Sequence, residues 1–375
     1  MMVITGGPGT GKTTLIRAII TAAEQNGLEP ALMAPTGRAA KRLAISSGRD
    51  ADTIHKALEA SVRETGRTYF ERNEANPLEE DLIIVDEASM LDISLFYHLL
   101  CALKDGARLI LVGDIDQLPP VGAGEPLKDL MSWGYVPIVR LKRIFRQEEG
   151  SGIVENAALI RKGEMCVPDE AGEFRIIYAA DDEDAYRIVM DLCRELNYGN
   201  EENKMLLQVL SPMYRGVCGV DHLNESLQEM IHGEKVPDGM KFFPGDKVMQ
   251  TRNDYEKGIY NGDVGTVWTA TPQKVFVRYF DKEVVYEGEE WFDLRLAYAV
   301  TVHKSQGSEY ETVIFILRPS QHNMLQRNLL YTGVTRARKN TILVTAPDAL
   351  RRALAIQHTG NRYSLFLPFL NHEAL

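Results

Sequence analysis

The chain has 375 residues, 45% hydrophobic and 25% charged, which suits a soluble globular protein of two or three domains with a large core. Its net charge of −11 excludes a surface coated with positive charge for polyanion binding, but leaves room for a local basic groove. The longest apolar run, Leu15 to Ala23, is interrupted by Arg17 and Thr21, no signal-type segment opens the chain, and Cys101, Cys166, Cys193 and Cys218 lack zinc or redox spacing; no membrane association and reduced thiols in the cytoplasm are therefore expected.

Val3-Ile4-Thr5 reads as a short buried strand and Thr14–Gln25 as a helix. Between them Gly6-Gly7-Pro8-Gly9-Thr10-Gly11-Lys12-Thr13 satisfies G-x-x-x-x-G-K-[ST], the phosphate-binding loop. Gly7, Gly9 and Gly11 let the backbone turn so that its N–H groups, with Thr10 and Thr14 in the same cradle, face phosphate oxygens. Lys12 reaches the β- and γ-phosphates, and the Thr13 hydroxyl is placed to ligate Mg²⁺. A ligand-free glycine turn is the alternative, and the strand before and helix after argue against it.

Further strands are predicted at Ala31–Ala34, Leu82–Val85 and Leu109–Val112, with helices at Gly37–Ile45 and Ile93–Leu103. Apolar strands alternating with helices imply a parallel sheet covered on both faces. Ile83-Ile84-Val85-Asp86-Glu87 ends a strand in two carboxylates. In a P-loop fold this strand lies beside the phosphate loop, so Asp86 serves the Mg²⁺ shell and Glu87 orients and deprotonates the attacking water. Leu111 to Pro120 places Gly113-Asp114 at the carboxyl edge of the sheet, with Gln117 able to sense a γ-phosphate or water by hydrogen bonding and Pro119-Pro120 stiffening the loop. An insertion between His55 and Asp81 contains Arg67 to Arg72, readable either as half of a protruding hairpin or as a disordered loop.

The same alternation returns with strands at Arg175–Tyr178, Leu206–Leu210, Val313–Leu317 and Thr341–Val344 and helices at Asp182–Leu196, His222–Ile231 and Met324–Arg336. Phe242 to Phe292 differs: Lys247–Gln250, Gly265–Trp268 and Val275–Tyr279 are short β-type runs, with the turn Asn261-Gly262-Asp263 between the first two. The expected organisation is an α/β fold of two P-loop-type domains with parallel sheets, 1–148 (insertion about 56–80) and 149–240 with 295–375, plus a small antiparallel β-barrel at 241–294. The apolar Leu365 to Leu370 is either a docking tail or packs back on its own domain.

Seven runs, in order, resemble the motifs of superfamily 1 DNA helicases, most closely the RecD-like branch, over nearly the whole chain. Beyond the loop these are Ala34-Pro35-Thr36-Gly37-Arg38-Ala39-Ala40, Thr53-Ile54-His55, Asp86-Glu87-Ala88-Ser89, Gly113 to Pro120, Leu141 to Gln147, Thr301 to Glu309 and Tyr331 to Ala337. The Gly245-Asp246-Lys247-Val248 and Asn261-Gly262-Asp263 runs resemble that branch's inserted SH3-like domain. The resemblance implies two RecA-like domains, ATP and Mg²⁺ as cofactors, and ATP-driven 5′→3′ travel on single-stranded DNA with unwinding at single-strand/duplex junctions by a monomer. It implies that Phe145 stacks on adenine, that Arg146 and Arg336 reach the γ-phosphate, that Glu309 holds the ribose and that Gln306 couples nucleotide to DNA. Pro35, Thr36, Arg38, Thr53, His55, Thr301, His303 and Lys304 are the implied strand contacts.

Members of this branch carry more chain before the loop, including a glutamine-bearing segment on adenine; five residues precede Gly6 here, consistent with a short form or a fragment. A single-strand-stimulated translocase that needs a partner or the missing N-terminal region to unwind, a weakly catalytic DNA-binding module and a P-loop small-molecule kinase are the alternatives. A protein partner on the C-terminal tail or the β insertion is also open.

Overall fold

The computed structural model describes residues 1–62, 68–143, 151–236, 239–254, 256–280, 282–357 and 366–371. The chain divides into two units, residues 1–149 with 360–375, and residues 150–359.

In the first unit, strands β1 (Met2–Gly6), β2 (Pro30–Ala34), β3 (Asp52–Thr53), β6 (Leu82–Val85), β7 (Arg108–Gly113) and β8 (Ile138–Leu141) form one parallel sheet; β4 (Ala60–Val62) and β5 (Thr68–Phe70) pair separately as an antiparallel hairpin. The sheet order is β3-β2-β6-β7-β1-β8. Successive residues face opposite sides, as the strand period requires. Ile4, Leu82, Ile84 and Val112 pack with Ile16, Ile20 and Leu43 of the helices Lys12–Gln25 and Gly37–Ser47. Val3, Ile83, Val85 and Leu111 pack with Phe96, Leu99 and Leu127 of the helices Ile93–Cys101 and Pro126–Trp133. One expectation is corrected: β7 lies between β1 and β6, so the strand carrying Asp86 is one place removed from the loop strand. Strand β8 (sequence Ile138-Val139-Arg140-Leu141), which the sequence pattern does not pick out, is a short half-exposed edge whose apolar run is interrupted by Arg140.

The tail helix Phe366–Leu370 packs on the helix Pro126–Trp133 of the first unit, with Phe366 edge-on to Phe96 at 5.8 Å. The sequence pattern places this segment in the second α/β domain. Its apolar residues instead complete the first unit's core, where Phe366 and Leu370 meet the cluster of Phe96 and Leu130.

In the second unit, β9 (Phe174–Tyr178), β10 (Leu207–Ser211), β16 (Ala299–Thr301), β17 (Tyr310–Leu317) and β18 (Ala337–Thr345) form a parallel sheet in the order β16-β10-β17-β18-β9. The helix expected over Met324–Arg336 is broken: a 3-10 segment Pro319–Met324 precedes the α-helix Arg327–Val334, with Gln326 extended (φ −133°, ψ 150°) at the cap. Arg336 therefore stands past the helix, just before β18.

The insertion contributes β11 (Lys247–Gln250), β12 (Val264–Ala270), β13 (Lys274–Arg278), β14 (Glu283–Glu287) and β15 (Leu294–Leu296), antiparallel in the order β14-β13-β12-β11-β15. Its core is Phe242, Val248, Ile259, Val267, Val275, Val277, Tyr286 and Leu294. Among the described residues the ladder stays open where a closed barrel is expected, since β14 does not pair with β15; the 3-10 segment Gly288–Asp293 connects these two strands in the chain. The Asn261-Gly262-Asp263 turn forms as read, with Gly262 at φ +98°.

Candidate functional site

Strand β1 delivers the chain into a loop whose Gly9 (φ +71°) and Gly11 (φ +82°) take left-handed conformations that favour glycine. A Cβ on Gly6 would meet Thr10 Oγ1 at 2.6 Å, so the loop closes on itself there. Thr10 Oγ1 donates to Gly7 O at 2.8 Å. Lys12 Nζ donates to Gly6 O at 2.7 Å and to Gly7 O at 2.9 Å, so the ammonium lies over the cradle. The helix that follows begins at Lys12, with Thr13 and Thr14 in its first turn, no acid there and no side-chain cap. Its first N–H groups are thus left to a phosphate, which the helix dipole also favours.

Asp86 and Glu87 emerge from β6, and Asp114 to Gln117 from β7, on the same carboxyl edge of the sheet. Burial, and then the Glu87 carboxylate, push the Asp86 carboxyl up to about 6 against the opposing pull of Arg42, the Glu87 N–H and Lys12. Arg42 Nη1 lies 3.9 Å from Glu87 Oε1. The sequence pattern does not single out Arg42, because a helical arginine carries no signal of its partner. Gln117 is buried with Nε2 3.4 Å from Asp114 Oδ2. The Ser89 hydroxyl is buried without a hydrogen-bond partner among the described residues. Gly113 makes this edge possible: a Cβ there would meet Leu127 Cδ2 at 2.8 Å and the Ser89 N at 3.0 Å.

The donor set suits Mg²⁺. Thr13 and Asp86 offer hard oxygens, and a desolvated carboxylate beside a second one gains from a cation. Among the described residues no three His, Cys, Asp or Glu cluster into a metal cage.

The expected strand-contact residues of the first unit also reach this edge. Strands β2 and β3 run side by side, with Ala34 opposite Thr53, so Pro35-Thr36 and Thr53-His55 leave the sheet as neighbours. The Thr36 and Thr53 hydroxyls accept from Ala39 N (3.3 Å) and Lys56 N (3.1 Å) as helix caps, leaving each O–H to donate. Arg38 lies in the first turn of the helix that Thr36 caps. Burial pushes the His55 imidazole below its ordinary range, opposed by Asp92, and its ring lies 5.9 Å from Phe70 at the base of the hairpin.

In the second unit Thr301 ends β16, and its Oγ1 accepts from Lys304 N at 3.2 Å. Lys304 Nζ donates to Asn261 Oδ1 of the insertion at 2.7 Å. Burial holds the His303 imidazole down. Thr301 and Lys304 line a cavity of about 620 Å³ between β16 and the insertion, together with Tyr214, Lys241, Phe292 and Arg295, and with Asp221 and Glu225 as its acids. Burial, and then the Arg295 guanidinium, hold Lys241 and Lys304 below the usual ammonium range. The sequence pattern does not single out Tyr214, Lys241, Phe292 or Arg295, which are scattered in the chain and meet only through the fold.

Three expected nucleotide contacts of the second unit are largely buried. Glu309 is ion-paired to Arg338 (2.9 Å) with its side chain 9% exposed. Arg336 is 3% exposed and donates to Thr332 O and Ser308 O, both at 3.1 Å. Gln306 is buried after the 3-10 turn His303–Ser305. Phe145 and Arg146 lie outside the described residues.

A glycine loop between a parallel strand and a helix, with lysine, threonine and paired acids on one sheet edge, defines a P-loop nucleotide-binding protein. Family models narrow this. The AAA domain model matches residues 1–123, the ATP-dependent RecD-like DNA helicase SH3 domain model 223–279, and the UvrD-like helicase C-terminal domain model 296–344. The ATP-dependent RecD2 DNA helicase of Deinococcus radiodurans is 39% identical over 369 residues, 97% of this chain and 50% of the relative. The RecBCD enzyme subunit RecD of Mycolicibacterium smegmatis is 34% identical over 97% of this chain and 72% of the relative. The chain belongs to the RecD-like helicase family. It spans about half the length of the Deinococcus relative.

Among solved structures, Bacteroides Pif1 bound to ssDNA is similar with a TM-score of 0.57 at 22% identity, covering 91% of this chain and 88% of that one. Candida albicans Pif1 gives 0.59 at 20%, covering 99% and 95%. At these identities the likeness is one of fold. No described helix is long and apolar enough to cross a membrane.

Proposed function

We propose that this chain is an ATP-dependent DNA motor that moves 5′→3′ along single-stranded DNA and separates strands at a junction. The observation that carries the reading is that the phosphate loop, the Asp86-Glu87 pair and the paired exits Thr36 and Thr53 share the carboxyl edge of one sheet. A change at the nucleotide is then felt within the same sheet by the residues that meet a strand.

Lys12 leaves the Gly6 and Gly7 carbonyls to hold the β- and γ-phosphates of ATP. Thr13 and Asp86 would hold Mg²⁺ with the nucleotide, and the ion would supply neutralisation of phosphate charge. Glu87 takes the proton of the attacking water, and Gln117 orients it. Arg146 and Arg336 are the proposed guanidinium donors to the γ-phosphate, a role that contributes roughly 10³–10⁵ in rate where it occurs. Phe145 stacks on adenine, Glu309 binds the ribose and Gln306 links the nucleotide to Thr301–Lys304. Backbone contacts by Pro35, Thr36, Arg38, Thr53, His55, Thr301, His303 and Lys304 grip phosphate without reading sequence. A reducing cytoplasm fits the four unpaired cysteines, of which Cys166, Cys193 and Cys218 are pushed up to about 12 by burial.

Unwinding of duplexes carrying a 5′ or a 3′ overhang tests activity and direction together. ATP-dependent opening of the 5′-tailed duplex alone supports the reading; opening of the 3′-tailed duplex alone reverses the polarity. The likeness to a RecBCD enzyme subunit, at 34% identity, favours one second reading, a translocase that unwinds only with further protein. It is distinguished by ATP-driven travel on single strands without strand displacement.

A further inference from the structure

Three charged side chains with almost no solvent contact stand where the β insertion joins the second α/β domain: Asp246 at 0% exposure, and Lys204 and Lys247 at 1%. Burying charge is costly unless every group is bonded, and apolar residues of similar volume often serve stability as well. What these charges hold together is therefore informative.

The Asp246 carboxylate accepts from Phe243 N (2.7 Å), from the Gln228 amide and from the Tyr298 hydroxyl (2.9 Å), and faces His232 Nε2 at 2.9 Å. Lys247 Nζ donates to Leu207 O (3.0 Å), Gln208 Oε1 (2.9 Å) and Tyr198 OH (3.3 Å). Gln208 Nε2 and Tyr198 OH in turn donate to Tyr298 O, at 2.9 and 2.6 Å. Ala297 N donates to Lys247 O at 2.8 Å, and Lys204 Nζ donates to Gly245 O at 2.6 Å and to Glu201 Oε1 at 2.8 Å.

The chain entering the insertion (Gly245 to Lys247) and the chain leaving it (Ala297 to Tyr298) are thus bonded to each other and to the start of β10. Neither crossing can act as a free hinge. The leaving chain runs directly into β16 and Thr301. At its other end the insertion holds the same segment again, through Asn261 and Lys304 at 2.7 Å.

We propose that Asp246 and Lys247 are positioning residues for strand contact: they lock the insertion to β16, so that Thr301 and Lys304 meet a DNA phosphate as part of one preformed surface. The proposal rests on the single-strand reading above. Its physical basis is preorganisation, since a cation held in place before binding gives up less freedom when phosphate arrives.

The test is binding of a fluorescent oligo-dT to the full chain over a salt series. The variants are Lys247→Met, Asp246→Asn and Asn261→Ala, each alone and combined with Lys304→Ala. Each single variant is expected to weaken binding about tenfold and to flatten the salt slope by about one unit. ATP hydrolysis without DNA should stay within about twofold of wild type. Combined with Lys304→Ala, each should cost less than about a further twofold, because coupled sites are not additive. Variants that stay folded and keep the wild-type slope, or whose losses multiply with that of Lys304→Ala, overturn the proposal. If the buried variants fail to fold, Asn261→Ala, at a turn, decides by the same criterion. Wild-type protein that binds no oligo-dT removes the strand reading itself; normal wild-type binding with unaffected variants removes only this inference.

Discussion

The backbone N–H of Glu87 donates to Oδ1 of Asp86 at 2.9 Å, and Glu87 holds a left-handed backbone (φ 52°) to do so. A non-glycine residue in that region costs on the order of 1–3 kcal/mol and persists where the surroundings fix it. Two neighbouring carboxylates are thereby kept together at the end of a buried strand.

The charge on Asp86 is a strain that its substitution should relieve. Its carboxyl is raised from 3.8 to about 6, so the neutral form is favoured in the folded state. That stabilising share is complete below about pH 3.8 and lost as pH rises through about 6. At pH 7.5, without nucleotide or Mg²⁺, Asp86→Asn should therefore be more stable than wild type by about 1–2 kcal/mol in urea unfolding. It should also lose Mg²⁺-dependent ATP hydrolysis by about 10²-fold or more. Equal or lower stability would show that the carboxylate is not penalised.

The proton and the cation compete for the same oxygens. The rise in melting temperature given by Mg·ATP should shrink between pH 7.5 and pH 5.5, as protons refill Asp86 around pH 6. A shift that does not change over that range would place the ion elsewhere.

Gly113 separates the sheet edge from Ser89 and Leu127 by less than a methyl group. Gly113→Ala should cost about 1–3 kcal/mol in urea unfolding and slow ATP turnover with it, because the segment carrying Glu87 must shift. Wild-type stability would mean that the edge has slack.

Glu309 is engaged by Arg338 at 2.9 Å. If the carboxylate serves the ribose, Arg338→Ala releases it and the KM for ATP should fall about two- to fivefold, whereas Glu309→Ala should narrow the preference for ATP over 2′-deoxy-ATP. Steady-state kinetics with both nucleotides reads this directly, and an unchanged preference in Glu309→Ala excludes the ribose role.

The cavity beside β16 predicts which cations count on DNA. Arg295→Ala and Lys304→Ala should each flatten the salt dependence of oligo-dT binding by about one unit. His303→Ala should leave the slope unchanged, because burial keeps that imidazole neutral. Phe292, 66% exposed at the cavity, should cost about 1–3 kcal/mol of affinity when replaced by alanine if a base stacks on it.

Much of this site is legible in the sequence because its chemistry is local in the chain. Gly6 to Thr13, Asp86-Glu87 and Gly113 to Gln117 each announce themselves by residue type beside an apolar strand, and Leu82–Val85 is apolar throughout because both its faces are buried. Strand β8 escapes the pattern because an edge strand alternates poorly, and the break before Arg327 because nothing but the backbone at Gln326 marks it. The order of β7 and β6, the partner of Arg42, the seat of the tail helix and the lining of the cavity depend on meetings between distant residues. No local period encodes those.

The most direct measurement is steady-state ATP hydrolysis with and without saturating oligo-dT, in wild type and in Lys12→Ala. Stimulation of wild type by single strands of at least about tenfold, absent in Lys12→Ala, is the expected result. Protein that binds and hydrolyses ATP at the same rate with and without single-stranded DNA would contradict the motor reading.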